Sequence, residues 1–410
     1  MIKFKKDDGS DYPDWKQFKL KEIAVYKKGF AFKAKDYKKE GVKIIRVSDL
    51  GYDYIKKAGQ VCLSLDKKDE FLDWELKEND IIITTVGSKP PVYSSLVGKV
   101  IKVTKEFDGC LLNQNAIRVR TREGYSQKFL YYVFSKKRYI SFLESIMRGN
   151  ANQGNITVED LFDYEMFIPA IQEQEKIADF LSSIDDVIQI QEEKIVALEE
   201  QKKGVMQKLF NREVRFKADD GSEFPEWEEE ELAHIVNLST GKSYSNDLNN
   251  NGKYIVMDMG AVSKDGEIIA LKHTDLNRDV LNKGDLIMPK DDIGGGLIIC
   301  KTAFISSDNK YVLGDHVYRL QIPNENSLFM HYLINSERVN LSLKKKVTGS
   351  AQLGIKASNL LKEKLCIPCI DEQQKVADCL STYDEAIQIK RDKLKVWKEI
   401  KKGLLQQMFV

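Results

Sequence analysis

The chain has 410 residues, 42% hydrophobic and 31% charged, with 64 basic and 63 acidic side chains for a net charge of +1. That length calls for two or more domains with substantial cores, and the scattered placement of six cysteines speaks against a disulfide-stapled scaffold. No apolar run approaches the ~18 residues of a membrane span and no apolar signal core opens the sequence, so a reducing cytoplasm is the expected compartment.

The predicted elements begin after a lead-in, Ile2–Trp15, that carries Asp8-Gly9-Ser10 and Tyr12-Pro13-Asp14-Trp15. β-branched runs bounded by Gly, Asp and Asn predict strands at Lys43–Leu50, Asp80–Gly87, Val97–Thr104 and Asn115–Thr121. Tyr, Phe and Leu at helical spacing predict a helix near Gln127–Met147, and the aromatic stripe is read as core. After Ile168-Pro169 comes a long helix. Ile177, Leu181, Ile184, Ile188, Gln191, Ile195, Leu198, Lys202, Val205 and Leu209 step by 4,3,4,3, the 3.5-residue period of a coiled-coil seam.

The chain then starts again. Val214–Trp227 repeats the lead-in, strands are predicted at Lys253–Gly260, Gly284–Lys290, Leu297–Ser306 and His316–Ile322, and a helix at Ser327–Lys346. A second seam runs through Val376, Leu380, Tyr383, Ile387, Lys390, Leu394, Trp397, Lys401, Leu404 and Met408. The offset between copies falls from 212 at the lead-in to 199 along the long helices, as expected of two related domains that differ by loop deletions. The copies match best in the helices and least in the strand-rich inserts, a frame carrying two divergent readers. Both seams place a polar residue at the same two positions, Gln191/Lys390 and Lys202/Lys401, where it can fix register. The helices are read as an antiparallel pair within the chain; pairing between chains is the alternative.

Charge is uneven. Residues 16–165 hold about 28 basic and 20 acidic side chains, whereas 228–365 are near neutral. Gly241-Lys242-Ser243 lacks the glycine a phosphate loop needs at position 236, which is Val236, and it reads as a turn, as does Gly294-Gly295-Gly296. Cys366-Ile367-Pro368-Cys369 has no second pair to complete a zinc set, the four His are unclustered, and Glu75-Leu76-Lys77 is one of several Glu-x-Lys runs. No methyltransferase or nucleotide motif is present, so no catalytic residue, metal ligand or cofactor is assigned to the chain.

With the frame in place, the chain resembles the specificity subunit of type I restriction–modification systems. The residues that carry the resemblance are Gly349-Ser350-Ala351-Gln352-Leu353-Gly354-Ile355, its partner Gly149–Ile156, the Ile-Pro-x-x-x-Glu-Gln run opening each long helix, and the Phe/Tyr-Pro-x-Trp lead-ins. The first copy departs from the pattern at Asn150 and Asn152. The resemblance implies an α+β fold: two α/β target recognition domains, at 16–166 and 228–365, separated by two long helices, at 167–210 and 366–410, that form an antiparallel coiled coil with a pseudo-twofold internal repeat. Residues 1–15 and 211–227 are the linker segments. It further implies a non-catalytic subunit whose two domains each read half of a bipartite DNA site. The helices space them and dock two modification subunits, adenine-N6 methyltransferases. Two restriction subunits, a translocase-nuclease, complete the assembly, with S-adenosylmethionine, ATP and magnesium on the partners. A stand-alone DNA methyltransferase or nuclease, and a coiled-coil scaffold with protein-binding end domains, are the alternatives.

Residue chemistry nominates the DNA contacts. Lys27, Lys28, Lys33, Lys35, Lys344, Lys345 and Lys346 are candidates for phosphate, because ammonium groups near a loop neutralise backbone charge. Asn113, Gln114, Asn152, Gln153, Lys290, Asp291 and Gln352 are candidates for base edges, since Asn and Gln pair with adenine and Lys with guanine.

Overall fold

The structure is a computed structural model that describes residues 4–409 apart from 90, 91, 93, 94, 136, 151, 152 and 351. The chain divides into two compact units: Met1–Ile190 with Lys393–Val410, and Gln191–Asp392. The two long helices, Ile171–Phe210 and Ile370–Met408, each contribute one half to each unit.

The first unit closes on itself through an antiparallel strand pair, Lys16–Lys19 with Glu165–Ile168. Between them lies a four-stranded antiparallel sheet in the order Ala24–Lys28, Ala116–Thr121, Ile81–Thr84, Val100–Lys102. A smaller sheet follows, in which Val42–Ile45 pairs antiparallel with Val61–Leu63 and parallel with Leu111–Leu112. The second unit has the same plan. Glu228–Glu231 pairs with Lys364–Ile367, the large sheet runs Asn237–Thr240, Val317–Gln321, Leu286–Pro289, Ala303–Phe304, and Tyr254–Met257 pairs parallel with Tyr311–Leu313. Two sequences that agree little in these inserts therefore share one topology.

Repeated residues account for that. Asp80 accepts the backbone N–H of Lys77 at 2.7 Å and pairs with Arg120 at 2.6 Å; Asp285 accepts that of Asn282 at 2.7 Å and pairs with Arg319 at 2.7 Å. Each carboxylate ties a turn to a central strand. Gln174 Nε2 donates to the Pro169 carbonyl while its Oε1 accepts from Ser126 N–H, and Gln373 does the same with Pro368 and Asn326. The Glu-Gln run thus caps a domain helix from the base of each long helix, satisfying an N–H the helix cannot bond itself. At Gly29 and Gly241 an added Cβ would overlap the carbonyl oxygen of Asn113 and Leu313 respectively, so both are sites of close backbone approach. The lysines Lys176 and Lys375 hold the two lead-ins at Asp7 and Asp219, each 2.5 Å away.

The single helix predicted at Gln127–Met147 is two, Gln127–Val133 and Lys137–Ile146, and that at Ser327–Lys346 is also two, Ser327–Asn335 and Glu337–Lys344. In the second unit the break is Ser336, extended at φ −58°, ψ 149°, whose hydroxyl donates to the Leu333 carbonyl and occupies a helix-end acceptor. The predicted strand Leu297–Ser306 survives only as Ala303–Phe304, because Asp292 gathers the backbone N–H groups of Gly294 and Ile298 into a turn.

Along both long helices every seam position is buried or half-buried, the polar ones included. Ile177 and Leu181 join the core of the first unit together with Met408 and Phe409; Val376 and Leu380 join that of the second with Leu209 and Phe210. The helices run antiparallel. In the first unit Asp185 meets Lys401, and in the second Glu199 meets Arg391 while Lys202 meets Asp384, one partner rising in number as the other falls. The fold is α+β, two α/β domains carried on an antiparallel pair of long helices, and it is an internal repeat.

Candidate nucleic-acid interface

In the first unit four segments far apart in sequence are laced by backbone hydrogen bonds. Gln114 N–H donates to the Phe30 carbonyl, Thr85 N–H to Asn115, and Ile156 N–H to Thr85. The segment after Lys28, the Asn113–Gln114 turn, the strand end at Thr85–Gly87 and the polar loop at Gln153–Asn155 so form one ridge, with Gly87 opposite Gly154 in a strand pair. The second unit repeats the last three of these segments. Lys290 N–H donates to His316, Ile355 N–H donates to Lys290, and Asp291 lies opposite Gly354. The loop there is pinned by the reciprocal Thr348–Gly354 bonds at 2.8 and 2.9 Å. Gly349 sits at φ +104°, where a Cβ would overlap the Gln352 carbonyl.

The ridge brings together most of the nominated base readers, but not on equal terms. Gln114, Gln352 and, in part, Lys290 present their side chains to solvent. Asn113 is 8% exposed and its Oδ1 accepts from Gln114 N–H, so it shapes the turn that offers Gln114. Asp291 accepts from His316 Nδ1 at 2.8 Å. Asn152 and the side chain of Gln153 lie outside the described residues.

The nominated phosphate lysines fall in two places. Lys28, Lys33 and Lys35 are exposed, on a segment whose Phe30 and Phe32 cluster with Phe71 and Trp74. The Trp74 indole N–H donates to the Lys28 carbonyl at 3.1 Å and keeps that strand end in place. Lys27 lies over the Trp74 ring and is paired with Asp73 at 2.7 Å, which holds the Asp73 carboxyl below its usual range. Near the second polar loop Lys345 is exposed and Lys344 half-buried, while Lys346 is bound 2.6 Å from the buried Glu363.

Two residues that sequence reasoning passed over belong to the ridge. His316 is in the left-handed region, φ +51°, directly against Asp291, and Asn115, φ +69°, closes the equivalent turn. Isolated His and Asn are common, and only the three-dimensional lacing singles these out. The runs that looked like chemistry have structural uses: Glu75 is ion-paired with Lys77 and Lys68, which lower its pKa, and Gly294-Gly295-Gly296 is a turn on Asp292. Among the described residues no group of three or more His, Cys, Asp or Glu is placed to hold a metal ion, and no helix is long and apolar enough to cross a membrane.

Residues 12–200 and 225–398 match the type I restriction modification DNA specificity domain family, and the chain belongs to it as a type I restriction–modification specificity subunit. It is 28% identical over 349 residues to the type I restriction enzyme MjaVIII specificity subunit of Methanocaldococcus jannaschii, covering 80% of this chain and 78% of that one. It is 25% identical over 424 residues to the putative MjaX specificity subunit of the same organism, covering 98% and 94%. Among solved structures, the S subunit of a type I system from M. genitalium matches with a TM-score of 0.62 at 16% identity, over 97% of this chain and 96% of that one. A chain from a structural study of complex assembly and conformational transition of the type I R-M system matches with a TM-score of 0.52 at 14% identity, over 96% and 97%.

Proposed function

We propose that each unit reads one half of a bipartite DNA site through its ridge, and that the chain supplies sequence specificity to partners that do the chemistry. The observation that carries this is the ridge built twice on one topology from different residues: Gln114, Asn115 and Thr85 in one unit, His316, Lys290 and Asp291 in the other. Equal frames with unequal readers suit an asymmetric site. Exposed Lys28, Lys33, Lys35 and Lys345 supply phosphate contacts that orient the duplex, while Gln114, Gln352 and Lys290 reach base edges.

The long helices dock two modification subunits, which bring S-adenosylmethionine and methylate adenine at N6. The outward positions fit such a role, because Ile190 (45% exposed), Val196 (52%), Ile389 (53%) and Val396 (53%) leave apolar side chains uncovered away from the seam. Two restriction subunits with ATP and magnesium extend the complex to cleavage, and no cofactor is assigned to this chain. The test is genome-wide mapping of N6-methyladenine with the gene present and deleted. A two-part motif with a fixed gap that disappears on deletion supports the reading; an unchanged methylation pattern in a strain that expresses the modification subunit overturns it.

A further inference from the structure

The seam lysines have partners that the heptad pattern does not announce. In the first unit Tyr132 Oη donates to Asp185 Oδ2 at 2.7 Å, and Lys401 Nζ lies 2.6 Å from Oδ1 of the same carboxylate. The Lys401 ammonium also stands over the Tyr132 ring, 5.9 Å from its centroid. In the second unit Tyr332 Oη donates to Asp384 Oδ2 at 2.5 Å, Lys202 Nζ is 2.5 Å from Oδ1, and Lys202 stands 4.8 Å over the Tyr332 ring. Each cluster joins three elements: a domain helix, the long helix of the same copy, and the end of the other long helix.

The repeat is crosswise. Tyr132 and Asp185 correspond to Tyr332 and Asp384, but the lysine in each cluster comes from the opposite copy. All three residues recur, so both places keep a polar junction where a leucine would continue the seam. Apolar seams tolerate small slides and rotations. A carboxylate held from one side by a phenol and from the other by an ammonium does not, since charge-assisted hydrogen bonds are short and directional. Burial and the adjacent carboxylate push the Tyr132 and Tyr332 hydroxyls well above their usual pKa, so both remain donors at any physiological pH.

We propose that the Tyr132–Asp185–Lys401 and Tyr332–Asp384–Lys202 clusters are positioning elements that lock each recognition domain at one angle on the helix pair, and so confine the complex to one spacer length between half-sites. The proposal rests on the specificity-subunit reading above. The requirement is strict, because one base pair shifts a half-site by about 3.4 Å along the duplex and turns it by about a tenth of a helical turn.

The experiment uses the full chain with its modification subunits. Initial methylation rates are measured on duplexes that carry both half-sites at the native spacing and at one base pair more or less. Tyr132→Phe, Lys401→Met and Lys401→Arg are compared with wild type, with thermal unfolding and single half-site substitutions measured alongside. Tyr132→Phe and Lys401→Met are expected to lower the preference for native spacing by about tenfold, the scale of removing one directional hydrogen bond. Both half-sites stay required, and Lys401→Arg restores the preference. If Lys401→Met does not fold, Tyr132→Phe, which keeps the ring, carries the test. Variants that melt earlier yet keep the wild-type spacing preference overturn the proposal. A wild-type complex that methylates without needing two half-sites overturns the underlying reading instead, which separates the two failures.

Discussion

The two units place different side chains on one set of strands, and the difference sorts residues by task. Where they agree, the residue ties elements together: Asp80 and Asp285 on their arginines, Gln174 and Gln373 under a domain helix, Gly29 and Gly241 at a backbone crossing. On the ridge the presenting residues differ. Thr85 answers to Lys290, and the Gln114–Asn115 turn to the segment ending at His316. An internal repeat therefore does for one chain what a comparison of relatives does for many, separating what holds the domain from what it presents.

The comparison breaks most completely by exchange. The closing strand pairs give clean joints, so replacing residues 20–164 with the matching segment of a relative leaves Lys16–Lys19 and most of the helix frame intact. One half of the methylated motif should change entirely and the other stay as it was, read by methylation mapping. If both halves changed, the units would not read independently.

A sharper contrast lies in the shared ion pairs. Asp285 and Arg319 have side chains only 6% and 14% exposed, whereas Arg120 beside Asp80 is 39% exposed. Removing one member of a buried pair strands the other, at about 3–5 kcal/mol. Asp285→Ala should therefore destabilise the second unit by about 3 kcal/mol, and Asp80→Ala the first by clearly less, because Arg120 can turn to water. Urea unfolding followed by hydrogen exchange in each unit measures both, and equal losses would contradict the burial argument.

That contrast also shows what was legible in the sequence. The repeat, the seams and the two-domain plan follow from spacing, which needs no knowledge of tertiary packing. The helix break at Ser336 does not, since serine is common inside helices and only its bond to Leu333 marks it. The small sheets rest on strands of two to four residues with parallel pairing across long separations, such as Ile44 with Leu111, too short to show a period. Of the candidate site, the polar turns were visible as composition. Their gathering into a ridge was not, because it depends on backbone bonds between segments tens of residues apart.

A smaller effect separates the units in acid. Position 131 is Tyr131 in the first copy, and its counterpart is His331. His331 Nδ1 faces the Thr302 hydroxyl at 3.1 Å and the Asn335 amide nitrogen at 3.3 Å, both able to donate. Burial, with Lys202 nearby, pushes its pKa down to about 4. Between there and the ordinary 6.5 the unfolded chain binds a proton the folded one refuses. Stability from this residue is thus full above pH 6.5 and falls as pH drops, by up to roughly 1.4 kcal/mol per unit. The second unit should lose stability before the first between pH 6.5 and 5, and His331→Gln should remove much of that gap. A gap of the same size in the variant would place the cause elsewhere.

The smallest expected effect is none at all, from circular permutation. In the second unit the chain leaves Phe210, which packs 5.9 Å from the Phe329 ring, and turns through exposed residues 211–214 with Arg212 at φ +61°. It then re-enters at Arg215, whose guanidinium holds the buried Glu372 at 2.8 Å. In the first unit Phe409 packs 5.4 Å from Phe129 and 6.3 Å from Trp15, the same place in the same core. The lead-in that ends at Trp15 is anchored beside it, by Lys176 on Asp7. Phe409 and Phe4 pack with the core of the first unit as Phe210 and Phe216 pack with that of the second, so about six added extended residues at ~3.4 Å each, roughly 20 Å, are provided for the join. Opening the chain between Asn211 and Val214 cuts an exposed turn that buries no side chain, so the two units keep their cores. The permuted chain should fold with nearly unchanged melting temperature and direct methylation to the same pair of half-sites. A permuted chain that folds but reads a different pair would show that the order of the copies, and not only their packing, sets the site.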